Sequence, residues 1–285
     1  MLRKDMHEEN RLGWNLATEA HNSHKADQAG FFRNGGSTLY PEEIALLGDL
    51  SGKSLVHLQC NAGQDSLSLV RLGATVTGVD ISDTAVEFAR RLSDESGLPA
   101  TFVRSDVYDW LDEAGRSGEQ YDIAFSSYGA LIWLSDIRLW ARGVASVIRP
   151  GGKLVVMEFH PFAMVFSDDW RPAYNYFDGT VGTHFETGVG DYVAMSGEVL
   201  APSGYLEGVQ NFVNPHRSHE FNWSIGEILT ALAEAGLKLT AFHEYPYMNG
   251  AKLLEGMQGD ADGRFYPPET MPSIPLMYGL VAEKV

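Results

Sequence analysis

The chain has a single cysteine, few cations and no long run of apolar residues. Cys60 is the only cysteine in 285 residues, so an intrachain disulfide and a multi-cysteine zinc site are both excluded. No apolar run approaches the roughly 20 residues that a membrane-spanning helix needs. The polar N-terminus, MLRKDMHEENRLGW, does not have the pattern of a secretory signal. We therefore predict a soluble cytoplasmic protein that does not associate with membranes.

Positive charge is scarce, with 21 Lys and Arg residues against 38 Asp and Glu residues and a net charge of -17. A surface of this sign repels phosphate backbones, so we do not expect a nucleic-acid partner. Apolar residues make up 44% of the chain, which is ordinary for a globular protein. The length suits one large domain, or one domain with an elaborated cap.

Residues 55–80, LVHLQCNAGQDSLSLVRLGATVTGVD, have the pattern of a strand, a polar loop, a helix and a second strand. The loop from Gln59 to Gly63 holds one glycine, and the second strand ends on Asp80. A carboxylate at that point can accept hydrogen bonds from two ribose hydroxyls, while backbone N–H groups of the loop face the ligand. This unit predicts a site for an adenosine-containing cofactor.

Strands and helices continue to alternate with short links as far as residue 160. Ser82 and Ser135 are the expected N-caps of two of the intervening helices. This alternation predicts a parallel, doubly wound sheet. The later predicted strands of this part are 101–103, 121–126 and 153–159.

The loop and Asp80 resemble motifs I and II of the class I S-adenosylmethionine-dependent methyltransferases. The pattern HLQC-x-x-G-x-D is similar to that of a bacterial branch of this superfamily that acts on small molecules. The usual loop reads acidic-x-Gly-x-Gly-x-Gly, and here those positions hold His57, Gln59, Asn61 and Gly63. Asn61 tolerates a positive φ better than most residues. The Gln59 side chain stands where glycine would let the backbone approach the cofactor, and it can instead hydrogen-bond the methionine part.

The resemblance implies an α/β fold with a doubly wound, seven-stranded, Rossmann-like methyltransferase sheet. Its last two strands, at 237–245 and 275–282, would form an antiparallel pair at the sheet edge. A capping box at Ser224 and Glu227 predicts the helix before them. The predicted parts are an N-terminal helical lid at 1–50, a cofactor-binding core at 51–160, an inserted aromatic and β-rich cap at 161–222, and a C-terminal helix with two strands at 223–285.

The cap is expected to contain strands at 191–200 and 205–213, and its aromatic residues suggest a cover over an apolar acceptor pocket. The lid is expected either to close over the cofactor, with Trp14 as an apolar wall, or to pack outside the sheet. These are the variable parts of the implied fold.

The resemblance also places the cofactor. The loop after the first strand would hold its methionine part, Asp80 its ribose and the segment after the third strand its adenine, unless Asp106 is only a helix cap. Cys60 is expected to pack rather than react. The predicted binding residues are Trp14, Gln59, Cys60, Asn61, Gly63, Asp80, Ile81, Ser105, Asp106, Val107 and Ser126.

Two histidines are the catalytic candidates. His160 ends the fifth strand and could take a proton from an acceptor hydroxyl or amine, or it could be structural. His219 is the second candidate, and positioning without a base is the alternative to both. We predict no metal site, because His216 and His219 lack a metal-binding spacing. Weaker candidates for a base are His184, His216, Glu220 and Glu244.

We predict S-adenosylmethionine-dependent methyl transfer to an apolar or aromatic small molecule, at oxygen or nitrogen rather than carbon. A non-catalytic binding protein that kept the cofactor fold is one alternative. A NAD-dependent Rossmann oxidoreductase is the other, and it would require Gly-x-Gly-x-x-Gly where this chain has Gln59 and Asn61.

Overall fold

The computed structural model describes residues 2–285, and helices and strands alternate through most of this part of the chain. The helices are α1 (Lys4–Ser23), α2 (Gln28–Arg33), α3 (Pro41–Leu47), α4 (Gln64–Arg71), α5 (Asp83–Ser96), α6 (Val107–Ser117), α7 (Ile137–Val147), α8 (Tyr192–Ser196) and α9 (Ile225–Glu234). The strands are β1 (Ser54–Leu58), β2 (Thr75–Asp80), β3 (Thr101–Arg104), β4 (Tyr121–Ser127), β5 (Ile148–Phe159), β6 (Thr183–Phe185), β7 (Ser218–Glu220), β8 (Leu237–Tyr245), β9 (Met248–Asn249), β10 (Gln258–Gly259), β11 (Arg264–Tyr266) and β12 (Met277–Lys284).

Seven of the strands form one mixed sheet in the order β3-β2-β1-β4-β5-β12-β8. The first five pair in parallel, and β12 runs antiparallel to both of its neighbours. The predicted seven-stranded, doubly wound sheet with an antiparallel pair at its edge is therefore confirmed. The strand order reverses between β1 and β4, and at such a switch point the carboxyl ends of the strands leave a crevice for a ligand.

Alternating side chains of the central strands form cores on both faces of the sheet. Val56 and Leu58 of β1 belong to one core with Trp140 of α7, whereas Leu55 belongs to the opposite core with Leu69 of α4. All five of these side chains are fully buried. Each large apolar side chain buried in this way stabilises the fold by roughly 1.5–3 kcal/mol, which holds the carboxyl ends of the strands in fixed positions.

Three of the predicted helix starts can be compared with the structure. Ser82 accepts a hydrogen bond from the N–H of Ala85, and Ser224 forms the expected capping box. The prediction for α7 was wrong by one residue, because Asp136 and not Ser135 is its N-cap. Ser135 instead contacts the N-terminal helix through its hydroxyl.

The segment 161–222 contains little regular structure, which corrects the prediction of a β-rich cap. Its strands are only β6 and β7, which pair with each other as a short antiparallel hairpin. Residues 191–200 are helical and not extended, since the Asp191 side chain caps α8. Residues 205–213 form no strand. Several aromatic side chains of this segment lie at the surface, and Phe177 is 78% exposed.

A second small sheet, in the order β10-β11-β9, lies within the connection from β8 to β12. The sequence reading did not predict it, since its strands are only two or three residues long. Within residues 2–285, no helix combines the length and the apolar character needed to cross a bilayer.

Replacing Gly63 with Ala tests how tightly the cofactor loop packs. A Cβ at Gly63 would lie 2.7 Å from the Cβ of Ala89, whereas a Cβ at Gly97 would meet nothing within 4 Å. Both glycines have similar φ values, 80° and 71°, so Gly97→Ala is the matched control for backbone strain. We expect Gly97→Ala to lose about 1–2 kcal/mol of unfolding free energy, and Gly63→Ala to lose about 1–3 kcal/mol more. Urea denaturation measures both, and equal losses would contradict close packing at Gly63.

Candidate functional site

The loop between β1 and α4 turns through backbone conformations that glycine usually supplies. Gln59 and Asn61 have φ values of 56° and 48°, and Gly63 has 80°. Left-handed conformations cost non-glycine residues roughly 1–2 kcal/mol, so the loop needs compensating contacts. The side chain of Asn61 accepts a hydrogen bond from the N–H of Ala62 at 2.6 Å, and Gln59 Nε2 donates to the carbonyl of Ala130 at 2.7 Å. Side chains at the usual glycine positions thus stabilise the turn that they occupy.

Asp80 connects this loop to the start of α5. Its Oδ2 accepts a hydrogen bond from the N–H of Asn61, and its Oδ1 accepts one from the N–H of Ser82, both at 2.8 Å. Burial raises the pKa of Asp80 to about 6, although these N–H groups favour the charged form. A carboxylate accepts further hydrogen bonds at its remaining lone pairs. Asp80 therefore stands at the end of β2 with capacity to accept hydrogen bonds from hydroxyl groups.

A cavity of about 960 Å³ lies over the carboxyl ends of the parallel strands. Gln59, Asp80, Ser105, Ser127 and Phe159, which end or follow these five strands, all line it. Ligand cavities in proteins typically measure about 300–1,000 Å³, so this one has room for a nucleoside cofactor and a small second molecule.

Nine of the eleven predicted cofactor-binding residues line the cavity. Gly63 and Ser126 do not: Gly63 packs against α5, and Ser126 is buried within β4. The neighbouring Ser127 and Tyr128 line the cavity in place of Ser126. The nine lining residues are Trp14, Gln59, Cys60, Asn61, Asp80, Ile81, Ser105, Asp106 and Val107.

The residues present fit an adenosine-containing cofactor with a polar tail. Gln59 Oε1 is buried and has no hydrogen-bond partner within residues 2–285, so a donor on a ligand would satisfy it. Asp80 supplies an acceptor nearby, since the loop that begins at Gln59 donates to it through Asn61. Donor groups of the cofactor's amino-acid part and ribose match these two acceptors.

The helix α1 covers the cavity from the N-terminal side. Asn10 exchanges two hydrogen bonds of 2.9 Å with the backbone of His219, and Asn15 Oδ1 accepts one of 2.7 Å from Ser82. The Trp14 ring packs edge-to-face on Trp133, with the ring centroids 5.6 Å apart. Two successive turns of α1 therefore attach to the cap, to the cavity wall and to the N-cap of α5.

Asp106 is the N-cap of α6 and also pairs with α1. Its Oδ1 accepts from the N–H of Tyr108 at 2.9 Å, and its Oδ2 lies 2.8 Å from His7 Nδ1 and 3.0 Å from Lys4 Nζ. Burial opposes the charged form, but the bonds from His7 and Lys4 hold the pKa of Asp106 below its ordinary value. The structure thus shows the capping role, and the adenine contact stays a prediction.

The loop after β4 is fixed by the buried carboxylate of Glu158. Oε1 accepts from the N–H groups of Gly129 and Phe159, and Oε2 accepts from those of Ala130 at 2.7 Å and Leu131 at 2.9 Å. Burial raises the pKa of Glu158 even so. This loop forms the cavity wall at the switch point of the sheet, and Glu158 determines its shape.

The two predicted catalytic histidines lie outside the residues that line the cavity. His160 is buried, its Nδ1 accepts from the N–H of Phe162 at 3.1 Å, and its Nε2 donates to Glu244 at 3.0 Å. Burial lowers the pKa of His160. Both of its nitrogens are occupied, so the structure gives His160 a structural role and does not support catalysis.

His219 faces away from the cavity. Its Nδ1 lies 2.9 Å from His184 Nδ1, and its Nε2 pairs with Glu9. The residues on either side of it, Ser218 and Glu220, line the cavity instead. Since successive side chains of a strand point to opposite faces, His219 is turned away from the space where its predicted role would place it.

Glu220 is a titratable group of the cavity whose position the sequence does not reveal. It is half-buried and lines the cavity, and no protein group within residues 2–285 forms a hydrogen bond or ion pair with its carboxylate. Burial raises its pKa to about 7. The sequence ranked Glu220 only among several equal candidates, because nothing in a three-residue strand indicates which face it presents.

Other lining residues carried no sequence signal. Lys25 lies just after α1, and burial lowers its pKa to about 8, opposed by the charge of Asp65. Asp65 accepts a hydrogen bond of 2.6 Å from Thr38.

In the described part of the chain, no group of three or more His, Cys, Asp or Glu side chains could hold a metal ion.

The comparisons with known proteins agree with this geometry. Residues 56–152 match the family model described as methyltransferase domain. A ubiquinone biosynthesis O-methyltransferase of Proteus mirabilis is 32% identical over 103 residues, 36% of this chain and 40% of that protein. The Salmonella arizonae protein of the same name is 26% identical over 213 residues, 74% of this chain and 73% of that protein. The chain thus matches about two fifths of the first relative's length.

Solved structures of similar fold cover nearly the whole chain. An S-adenosylmethionine dependent methyltransferase from Mesorhizobium loti has a TM-score of 0.56 at 19% identity, covering 88% of this chain and 99% of that one. The CcbJ methyltransferase from Streptomyces caelestis has a TM-score of 0.57 at 14% identity, covering 97% and 99%. These likenesses confirm the predicted fold. They do not distinguish the branch with the HLQC loop, which stays a prediction.

The raised pKa of Asp80 predicts a pH dependence of cofactor binding. Below about pH 6 the carboxyl group is protonated in the free protein and loses its charge as an acceptor. We expect the affinity for S-adenosylhomocysteine to fall as the pH is lowered through 6, and Asp80→Asn to bind at least tenfold more weakly at pH 8. Calorimetry across this pH range measures both effects.

The exposed Asp94 of α5 provides the control, since Asp94→Asn removes the same charge away from the cavity. An affinity of the folded Asp80→Asn protein equal to that of this control at pH 8 would contradict the ribose contact.

Proposed function

We propose that this chain, whose residues 56–152 match a methyltransferase domain, uses S-adenosylmethionine to methylate a hydroxyl group of a small apolar or aromatic molecule. The domain match at residues 56–152 and the fold support the predicted enzyme class and its cofactor. The hydroxyl acceptor is the finer part of the proposal.

The observation that carries the proposal is the cavity of about 960 Å³ over the sheet. One side of it holds the loop after β1, Asp80 and the segment 105–107, which are the predicted contacts of the cofactor. The other side is bounded by Phe159, Met164 and Phe185, which precede or belong to the cap. Space for two molecules in one enclosure is what a transfer reaction needs, because it brings the reacting groups together.

The chain's own residues provide distinct contacts along the proposed cofactor position. The loop from Gln59 to Ala62 would bind the methionine part, Asp80 the ribose, and Ser105 to Val107 the adenine. Trp14 would close the site from the side of α1. Bound there, S-adenosylmethionine supplies an electrophilic methyl group on a sulfonium. Excluding water from this enclosure strengthens each electrostatic contact in it.

A hydroxyl acceptor is supported by two independent facts. The relatives that match this chain are named for O-methylation in ubiquinone biosynthesis, and their substrates are carried over here only as a class. The lining of the cavity combines aromatic and apolar side chains, among them Phe159, Met164 and Phe185, with the carboxylate of Glu220. Such a lining suits a flat, weakly polar molecule with an ionisable hydroxyl group better than a charged macromolecule.

The first test separates the cofactor from the acceptor. We expect S-adenosylhomocysteine to bind in calorimetry and NAD not to bind, because Asp80 and the loop lack the Gly-x-Gly-x-x-Gly turn of a dinucleotide site. We then expect transfer of a radiolabelled methyl group to members of a panel of phenols and catechols. Binding of NAD would contradict the cofactor assignment. Binding of S-adenosylhomocysteine with no transfer to any phenol, catechol or amine would indicate a binding protein.

The second test concerns α1, which we propose acts as a lid over the cofactor. If it opens to admit the cofactor and closes over it, S-adenosylhomocysteine should slow hydrogen exchange in residues 10–23. The helix α9 packs on α7 and contributes no residue to the lining of the cavity, so it is the internal control. Equal exchange in residues 10–23 with and without the ligand would leave α1 with only a structural role.

A further inference from the structure

We propose that Glu220 is the base that takes the proton from the acceptor's hydroxyl group. This rests on the proposed function and adds the residue that performs the proton transfer. Glu220 takes the role that the sequence suggested for His160 or His219. The assignment follows from the pairing of β6 with β7, the short hairpin within the cap.

The hairpin decides which side chains face the cavity. In the pairing of β6 with β7, Thr183 lies opposite Glu220 and His184 lies opposite His219. The two histidines contact each other on one face. Glu220 is on the other face with Ser218, and both line the cavity. The two-residue period of a strand therefore directs the carboxylate toward the proposed ligands and the imidazoles away from them.

The carboxylate of Glu220 is unusual among the acids around the cavity in having no partner within residues 2–285. Asp80 is held by two N–H groups, and Asp106 by an N–H group, His7 and Lys4. Asp168 also lines the cavity without a partner in the described part of the chain, but it is exposed to solvent. Glu220 is half-buried, so its carboxylate loses part of its hydration without gaining a donor from the protein. A ligand's hydroxyl group would be a favourable partner for it.

The surroundings of Glu220 leave it free to titrate. Thr183 is the residue opposite on β6, and the turn at Leu131–Trp133 carries no charge. The nearby charged groups of α1 and α6 are paired elsewhere, Glu9 with His219 and Asp106 with His7. Burial alone raises the pKa of Glu220 to about 7, and a base is most effective when its pKa lies near the working pH.

Glu220 lies beside the switch point of the sheet. The N–H of the next residue, Phe221, donates to the carbonyl of Ile132 at 2.7 Å. Ile132 lines the cavity and follows the loop that Glu158 holds at the end of β4. This places the carboxylate on the wall next to the crevice where a sheet of this topology binds its ligands.

The proton transfer balances without another reactant. The acceptor's O–H bond breaks and its proton joins the Glu220 carboxylate, while the oxygen's electron pair forms the new bond to the methyl carbon and the pair of the broken S–C bond stays on sulfur. Glu220 then releases the proton to water, so its carboxylate is ionised again before the next acceptor molecule binds.

The first experiment needs neither cofactor nor acceptor. In the folded protein the pKa of Glu220 is raised above the ordinary 4.5, so its ionisation destabilises the fold as the pH rises from about 4.5 to 7. We expect Glu220→Gln to have a higher Tm than the wild type at pH 8, and the difference to shrink as the pH is lowered and to vanish near pH 4.5. A Tm difference independent of pH would overturn the proposal, since Glu220 would then not titrate in this range.

The second experiment measures turnover with the phenol that the wild type methylates best. We expect Glu220→Gln to lower kcat about 100-fold, with the Kd of S-adenosylhomocysteine changed less than twofold. A nitrophenol that is already ionised at pH 9 should restore most of the variant's rate, which a merely structural residue would not allow. The control is Glu9→Gln, which removes a carboxylate from the opposite face of the hairpin.

The outcomes separate this proposal from the proposed function. An unchanged kcat in Glu220→Gln, or a tenfold loss of affinity for S-adenosylhomocysteine, would overturn only the role of Glu220. A wild type that binds the cofactor but methylates no hydroxyl acceptor would overturn both.

Discussion

The buried carboxylate of Glu158 is the contact on which the site most depends. A carboxylate without partners in the protein interior is costly, and so are N–H groups of a buried loop. Here the loop after β4 and the end of β5 satisfy each other through four hydrogen bonds. The same loop offers the Ala130 carbonyl to Gln59. The loops on either side of the sheet's switch point are therefore held in one arrangement, and the cavity above them keeps its floor before any ligand arrives.

The core of the fold could be predicted from the sequence because its signals are local. Apolar periodicity, a capping serine such as Ser82 and the acid that ends β2 each lie within a few residues of the element that they define. The segment 161–222 gave no such signal. Its aromatic residues are spread between exposed and buried positions, and its structure depends on contacts with α1 and with the loops of the core. Propensity therefore suggested strands at 191–200, where a cap at Asp191 produces a helix.

The same distinction explains the candidate site. The predicted cofactor residues follow strands whose register the core fixes, and most of them line the cavity. A residue such as His160 lies at the correct edge of the sheet, but contacts with Phe162 and Glu244 turn its ring away. To choose between His219 and Glu220, one must know which face of the three-residue strand β7 points into the cavity. That orientation is set by pairing with β6, some 35 residues away. Such pairing between distant segments leaves no periodic pattern in a short sequence window.

The position of α1 has a consequence for how two ligands would influence each other. Through Asn15 the helix contacts the cofactor side of the cavity, and through Asn10 it contacts the hairpin that carries Glu220. A ligand that orders this helix on one side would also order it on the other. The first ligand to bind would bear the entropic cost of ordering α1, and the second would bind to a helix that is already ordered. Each ligand would therefore raise the affinity for the other by the same factor. One helix would thereby make the binding of the two substrates cooperative.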